Sequence, residues 1–186
     1  MACLGLGLMK TLVARSQMWA MALMGDPGQR LMERVLASDM GVLAIDPGET
    51  SGFAWLPSPQ ARARDHMNVH GVCMATATGM WGAVDQAIAV LPMVDVCVVE
   101  SWRLYHWAAK TRINSDMPES RLIGAIELAA RQAGVPVVFQ PAMVTKSKPW
   151  VDDWLKRERG KLGSDHERDA LKHLVHYCTS SAHICP

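Results

Sequence analysis

Residues 44–54 of the 186-residue chain read AIDPGETSGFA. An apolar run over residues 41–45 precedes Asp46, and a Pro-Gly pair then forces a turn before a second apolar run over residues 51–56. This pattern predicts a β-hairpin with Asp46 at the carboxyl end of its first strand. An Asp before Pro-Gly is also a common turn former, so the hairpin alone leaves the role of Asp46 open.

The rest of the chain alternates strand and helix signals. Three strands precede the first helix and predict an antiparallel meander, whereas strands that follow helices pair in parallel. We therefore expect an α/β fold with one mixed five-stranded sheet and helices on both faces. Residues 40–186 would form this domain, and residues 1–39 are predicted to be an N-terminal extension that is helical or dispensable. Beyond the hairpin, the predicted strands are 67–76, 94–99 and 135–139, and the predicted helices are 80–91, 119–133, 148–159 and 165–177.

The composition is typical of a soluble globular domain. Hydrophobic residues make up 49% and charged residues 20%, and 19 Lys and Arg against 18 Asp and Glu give a net charge of +1. These values exclude a disordered chain and a strongly basic binder. The five cysteines contain no C-x-x-C pair and predict reduced thiols in a cytoplasmic protein. No apolar run reaches the ~18 residues of a membrane span, so no membrane partner is expected.

Acidic side chains are predicted to meet at one edge of the sheet. Asp46 and Glu100 end the first and fourth strands, and His166 and Asp169 lie one turn apart at the start of the last helix. Each feature alone is common at strand ends and helix caps. Carboxylates that converge repel one another, and hard divalent cations that prefer oxygen ligands neutralise them. The combination therefore predicts an Mg²⁺ or Mn²⁺ site.

Three segments together resemble the motifs of RuvC-like nucleases of the RNase H-like superfamily. The chain as a whole resembles the bacteriophage-encoded members of this group. Residues 44–54 are similar to its I-D-P-G-x-x-x-x-G-x-A hairpin. VVES at 98–101 is similar to its strand with a catalytic Glu, and DHERDAL at 165–171 to the motif that opens its final helix. The resemblance implies an RNase H-like fold. It assigns the fourth metal-ligand position to His166, with Asp165 as the alternative. The catalytic and metal-binding residues that it implies are Asp46, Glu100, His166 and Asp169.

The resemblance also implies an activity. It predicts a Holliday junction resolvase, a homodimeric endonuclease that hydrolyses phosphodiester bonds at four-way DNA junctions with two Mg²⁺ (or Mn²⁺) ions per site. In such a mechanism one ion activates a water and the second stabilises the leaving 3′ oxygen, and Asp46 is the candidate to bridge both ions. If the protein is phage-encoded, it would act in the host cytoplasm.

The segment that follows Glu100 reads SWRLYHWAAKTR and interleaves basic and aromatic side chains. Cations contact phosphates and rings stack on unpaired bases, so this segment predicts DNA binding. For each ring, packing against a helix edge is the alternative. Basic residues over 156–161 predict a solvated helix face, diluted by Asp152, and His173 and His176 are expected to be at the surface or partly buried. The predicted DNA-binding residues are Trp102, Arg103, Tyr105, Trp107, Lys110, Arg112, Lys146 and Lys148.

Other functions stay open on the sequence. A nuclease of the same fold would also suit other branched DNA, flaps or RNA–DNA hybrid. An actin-like nucleotide-binding protein also begins with D-x-G, but it needs a second glycine-rich phosphate loop, for which residues 79–84 are a poor candidate. A non-catalytic DNA-binding module would bind junctions and leave them uncut.

Overall fold

The computed structural model describes residues 26–64, 71–101, 117–160 and 163–180. Five strands within these ranges form one sheet, in the spatial order third, second, first, fourth, fifth. The strands are β1 (Val42–Asp46), β2 (Thr50–Leu56), β3 (Cys73–Thr78), β4 (Val96–Ser101) and β5 (Val137–Pro141). β1 pairs antiparallel with β2 and β2 with β3, whereas β1–β4 and β4–β5 are parallel. The predicted mixed sheet is confirmed.

Helices in the described ranges pack on both sides of this sheet. No helix among them combines the length and the apolar character of a membrane-spanning segment. The helices are α1 (Pro27–Leu36), α2 (Pro59–Arg64), α3 (Gly79–Val90), α4 (Pro118–Gln132), α5 (Met143–Lys146), α6 (Trp150–Arg159) and α7 (Asp165–Ser180).

The alternation of side chains along β1 divides the core into two layers. Val42 and Ala44 pack on the side of α1, α6 and α7, whereas Leu43 and Ile45 pack on the side of α3 and α4. All four side chains are at most 1% exposed, as expected for a central strand that is covered on both faces. The prediction of helices on both faces is confirmed.

Two predicted strands begin later than expected because their first residues hold the ends of other elements. Val135 donates its backbone N–H to the Ala130 carbonyl and Gly134 donates to Arg131, which closes α4 in a Schellman motif with Gly134 at a φ of 72°. Asp95 accepts a hydrogen bond from the backbone N–H of Gly41, at 2.7 Å, instead of joining β4. The short helices α2 and α5 were not predicted, and α2 lies between β2 and β3. The third strand begins at Cys73, and residues 67–70 of its predicted range lie outside the described residues.

The predicted N-terminal extension contributes to the core. Met32 and Val35 of α1 are 0% and 1% exposed and belong to the layer that contains α6 and α7. A Cβ atom on Gly28 would come within 2.8 Å of the Trp150 ring, so α1 and α6 approach closely there. The helical alternative therefore describes residues 27–36, and residues 1–25 lie outside the described ranges.

Candidate active site

The strand register brings three polar side chains to the same edge of the sheet. Ile45 pairs with Val99 across the parallel β1–β4 ladder, so Asp46 and Glu100 are the next residues along two neighbouring strands. Glu100 in turn pairs with Gln140 on β5. The carboxyl ends of parallel strands are where ligands bind in open α/β sheets.

These three side chains also share one face of the sheet. Ala44 and Val98 pack in the layer under α7, and Val138 packs against it. Because side chains alternate along a strand, the residues two positions further along point to the same side. Asp46, Glu100 and Gln140 therefore face α7.

A reciprocal cap starts α7 at the position predicted from the sequence. The Glu167 backbone N–H donates to Ser164 Oγ at 3.1 Å, and the Ser164 N–H donates to Glu167 Oε2 at 2.9 Å. This capping box satisfies donors that the first helical turn leaves without partners. Helical spacing then places His166, Asp169 and His173 on one face of α7.

Two glycines of the hairpin motif let the hairpin approach the first turn of α7. A Cβ atom on Gly52 would overlap the backbone carbonyl of His166, and one on Gly48 would lie 3.3 Å from His166 Cε1. Any side chain at position 52 would therefore push α7 away from β2. The two glycines of the hairpin motif therefore allow α7 to approach the hairpin closely enough to contact the end of β1.

Asp46 and His166 form the first pair of the site. His166 Nδ1 lies 2.7 Å from Asp46 Oδ2, and Asp46 is only 8% exposed. The pKa of Asp46 is raised from 3.8 to about 6, mainly by burial and also by the negative charges of Glu100 and Asp169, against the opposing contact with His166. Asp46 therefore lies within electrostatic range of both other carboxylates.

Glu100 forms the second pair, with a histidine that the sequence prediction placed at the surface or in a partly buried position. His173 is 0% exposed, and its Nε2 lies 2.8 Å from Glu100 Oε2. The expectation for His173 was wrong because the residue lies four positions after Asp169 and therefore on the inner face of α7. Its spacing from Asp169 was the available signal.

Asp169 forms the third pair, with a buried lysine. Lys172 is 9% exposed, and its Nζ lies 3.1 Å from Asp169 Oδ1 and 3.4 Å from Asp152 Oδ1 on α6. The sequence prediction assigned Asp152 to a solvated helix face and did not single out Lys172. It missed the pair because the contact depends on how α6 packs against α7, which neither segment shows alone.

The two candidates for the fourth ligand lie in different places. His166 contacts Asp46, as described above. The Asp165 side chain is 87% exposed and pairs with Arg168 at the surface. The geometry therefore favours His166, and its role as a ligand stays a prediction.

The chemistry of the donor set fits a hard divalent cation. Three carboxylates and an imidazole are suitable ligands for Mg²⁺ or Mn²⁺. Burial, and after it the charges of Glu100 and Asp169, raise the pKa of Asp46, and a bound cation would favour the ionised carboxylate. Among the described residues, however, no three His, Cys, Asp or Glu side chains are grouped so that they could hold an ion together. Each of the three carboxylates instead contacts a side-chain nitrogen on α7, as the three pairs above describe.

The predicted DNA-binding residues are only partly within the described ranges. Lys146 is exposed at the end of α5, and Lys148 is partly buried. Burial lowers the pKa of His176 on α7, and the nearby charge of Lys148 lowers it further. The predicted residues that lie outside the described ranges are Trp102, Arg103, Tyr105, Trp107, Lys110 and Arg112.

Comparison with known proteins assigns the fold. The sequence matches no protein-family model and no curated protein. Thermus thermophilus RuvC superposes with a TM-score of 0.55 at 18% identity, over 77% of this chain and 97% of RuvC. The chain has the RuvC fold. RuvC in complex with Holliday junction substrate gives a TM-score of 0.57 at 18% identity, over 78% and 98% of the two chains.

Fowlpox virus resolvase, solved with substrate Holliday junction DNA, is 12% identical over 76% of this chain and 98% of its own. Its TM-score of 0.45 is too low to support the assignment by itself. The RuvC fold confirms the RNase H-like α/β architecture that the three motifs imply.

Proposed function

We propose that the chain is a metal-dependent endonuclease that hydrolyses phosphodiester bonds at four-way DNA junctions. The observation that carries this proposal is that Asp46 and Glu100 end neighbouring parallel strands of a RuvC-fold sheet, and that His166 at the start of α7 contacts Asp46. The raised pKa of Asp46 supports it, because carboxylates whose pKa is raised by burial and by neighbouring charges are concentrated at functional sites. The RuvC fold is further support, since Thermus thermophilus RuvC has been solved with Holliday junction substrate.

In this proposal Asp46, Glu100, His166 and Asp169 hold two Mg²⁺ or Mn²⁺ ions. When bound, such ions supply an activated water and stabilise the negative charge on the leaving oxygen. Asp46 has the central place among the ligands because the charges of both other carboxylates act on it. Lys172 neutralises part of the charge of Asp169 and Asp152, which limits repulsion in the site.

His166 is positioned to move a proton. Asp46 contacts its Nδ1, which orients the ring and sets the tautomer, while the side chain remains 42% exposed. An imidazole that is fixed on one nitrogen and open to solvent on the rest of the ring suits a general base or acid for a water. Coordination of an ion by the same ring is the other role consistent with its place.

The choice of a junction substrate rests on two features. The segment after Glu100 carries three basic and three aromatic side chains, a composition suited to phosphates and unstacked bases. The RuvC chain superposed here has been solved with such a substrate. Cutting two opposed strands of a junction suits a two-fold pair of sites, so the proposal includes a homodimer.

A panel of labelled substrates tests this function. Wild-type protein is incubated with a four-way junction, linear duplex, a flap and an RNA–DNA hybrid, each in Mg²⁺ and in EDTA. We expect cleavage of the junction in Mg²⁺ only, loss of cleavage in Asp46→Asn, and unchanged cleavage in Asp85→Asn. Asp85 is a matched control because it is an exposed carboxylate on α3, across the sheet from the site.

Each other outcome identifies a specific error. Cleavage by Asp46→Asn at the wild-type rate would contradict the site assignment. Preferential cutting of the flap or hybrid would support nuclease activity but contradict the proposed junction substrate. Junction binding without cleavage in Mg²⁺ or Mn²⁺ would indicate the non-catalytic module.

A further inference from the structure

His173 joins two strands of the sheet to the last helix. Its Nε2 lies 2.8 Å from Glu100 Oε2, and its Nδ1 lies 2.8 Å from Gln140 Oε1. Glu100 and Gln140 are register partners on β4 and β5, so one imidazole ring spans the two neighbouring side chains. The residue is 0% exposed, and Gln140 is 6% exposed.

Such a buried contact has a cost that an apolar residue would avoid. Polar groups removed from water are destabilising unless they are hydrogen-bonded, and here both ring nitrogens have partners. Leu171, Leu174 and Val175 in the same part of α7 are fully buried apolar residues. His173 is therefore a polar group in a buried part of the helix, on the face that it shares with His166 and Asp169, and it is directed at one carboxylate of the candidate site.

The hydrogen-bonding chemistry fixes the direction of the contact. An ionised carboxylate only accepts hydrogen bonds, so the proton between the ring and Glu100 belongs to Nε2. A neutral ring that donates from Nε2 accepts at Nδ1, so the amide of Gln140, rotated by 180°, donates an N–H to Nδ1. The ring thus donates to Glu100 Oε2 and leaves the other carboxylate oxygen for a ligand.

We propose that His173, held by Gln140, is a positioning residue that orients Glu100 for divalent-cation binding. The inference rests on the proposed function, because it concerns a ligand of the same site. His173 itself lies behind Glu100 and reaches neither solvent nor substrate. Partners of this kind, which hold a metal ligand from behind, change metal affinity by about 10- to 100-fold when they are replaced.

Metal titration of the full chain tests this role. Mn²⁺ affinity is measured by calorimetry, without DNA, for wild type, His173→Leu and His173→Gln. Leu fills the same buried space without a donor, whereas the Gln amide places an N–H near the position of Nε2. We expect His173→Leu to weaken Mn²⁺ binding by about tenfold or more, and His173→Gln to recover most of the loss.

Two further variants separate positioning from general packing. His176→Leu is the matched control, because His176 lies one turn further along α7 and is only partly buried; Mn²⁺ affinity should stay at the wild-type value. Gln140→Leu keeps the contact between His173 and Glu100 but removes the side chain that holds the His173 ring. We therefore expect a smaller loss of Mn²⁺ affinity than in His173→Leu. This variant also serves as the test if His173→Leu does not fold, as judged by circular dichroism.

The result that overturns the proposal is a lowered unfolding temperature with unchanged Mn²⁺ affinity in the folded variants. Equal weakening in His173→Leu and His173→Gln, with no effect of Gln140→Leu, would also overturn it. Failure of the proposed function has a different signature. In that case the wild type and its variants would show the expected order of Mn²⁺ affinities, and the wild type would cut no junction.

Discussion

Asp46 Oδ2 lies 2.7 Å from His166 Nδ1, although the two residues are 120 positions apart in the sequence. The contact joins the end of β1 to the first turn of α7. The absence of a side chain at Gly52 allows it, because α7 begins directly over that position of β2. The hairpin motif and the helix motif thus form one unit of structure, and the candidate site lies at their junction.

Glycine 52 should be indispensable to this unit. Replacement by Ala would place a methyl group on the His166 backbone carbonyl, so we expect Gly52→Ala to displace α7, to destabilise the fold and to abolish junction cleavage. Gly124→Ala is the matched control, since Gly124 is in the middle of α4 with open space around it. That change should stabilise the protein by roughly 0.5–1 kcal/mol, because Ala favours a helix more than Gly does. Urea denaturation measures both, and an unaffected Gly52→Ala variant would contradict the close approach.

The raised pKa of Asp46 predicts a pH-dependent stability in EDTA. The unfolded chain loses this proton near pH 3.8 and the folded chain near pH 6, so the folded state binds the proton more strongly in between. Stability therefore falls as pH rises through this window, by on the order of 3 kcal/mol for a shift of about two units. Asp46→Asn removes the titrating group and keeps an acceptor for His166.

We therefore expect Asp46→Asn to be more stable than wild type at pH 7.5, with the difference shrinking toward pH 4. Urea denaturation at pH 4.5, 6 and 7.5 measures it. A difference that is constant over this range would show that Asp46 titrates at its ordinary pKa in the folded protein. Added Mg²⁺ should raise the stability of the wild type at pH 7.5 and have less effect on Asp46→Asn.

Lys172 should stabilise the protein when no metal ion is bound. Lys172→Met removes the ammonium group that pairs with Asp169 and Asp152, so we expect a loss of stability. The loss should stay below the roughly 3–5 kcal/mol of a fully buried pair, because the Asp169 side chain is 37% exposed. Adding Asp152→Asn to Lys172→Met should recover part of it. Thermal unfolding in EDTA measures the effect, and a double variant no more stable than Lys172→Met would contradict the pairing with Asp152.

Helix α1 should stabilise the domain. Met32 is fully buried against the layer that contains α6 and α7, so Met32→Ala should cost about 2–5 kcal/mol. Met143→Ala is the control, because Met143 is 72% exposed. Equal stability of the two variants would show that residues 27–36 are dispensable, which was one of the alternatives drawn from the sequence.

Local signals predicted the parts of the fold that depend on neighbouring residues. The Pro-Gly turn after Asp46, the apolar runs of the strands and the Ser164 cap each act within a few residues, and the structure agrees with all three. The parallel pairing of β1 with β4 followed from the order of the elements. Strand starts were misplaced where residues such as Val135 serve a helix end instead.

The partners of the carboxylates could not be predicted in the same way. His173 reaches Glu100 because α7 has one particular rotation and because β5 places Gln140 beside Glu100. Lys172 pairs with Asp152 because α6 packs next to the start of α7. Both contacts depend on long-range packing, and helical spacing from Asp169 offers only a weak signal for either.

The most direct test of the central claim is the position of metal ions in a crystal of the wild-type protein grown in Mn²⁺. Anomalous diffraction should show Mn²⁺ within coordination distance of Asp46, Glu100 and Asp169, with two ions about 3.5–4 Å apart when DNA is bound. Mn²⁺ bound elsewhere, with these three carboxylates free of it in crystals that contain junction DNA, would contradict the account.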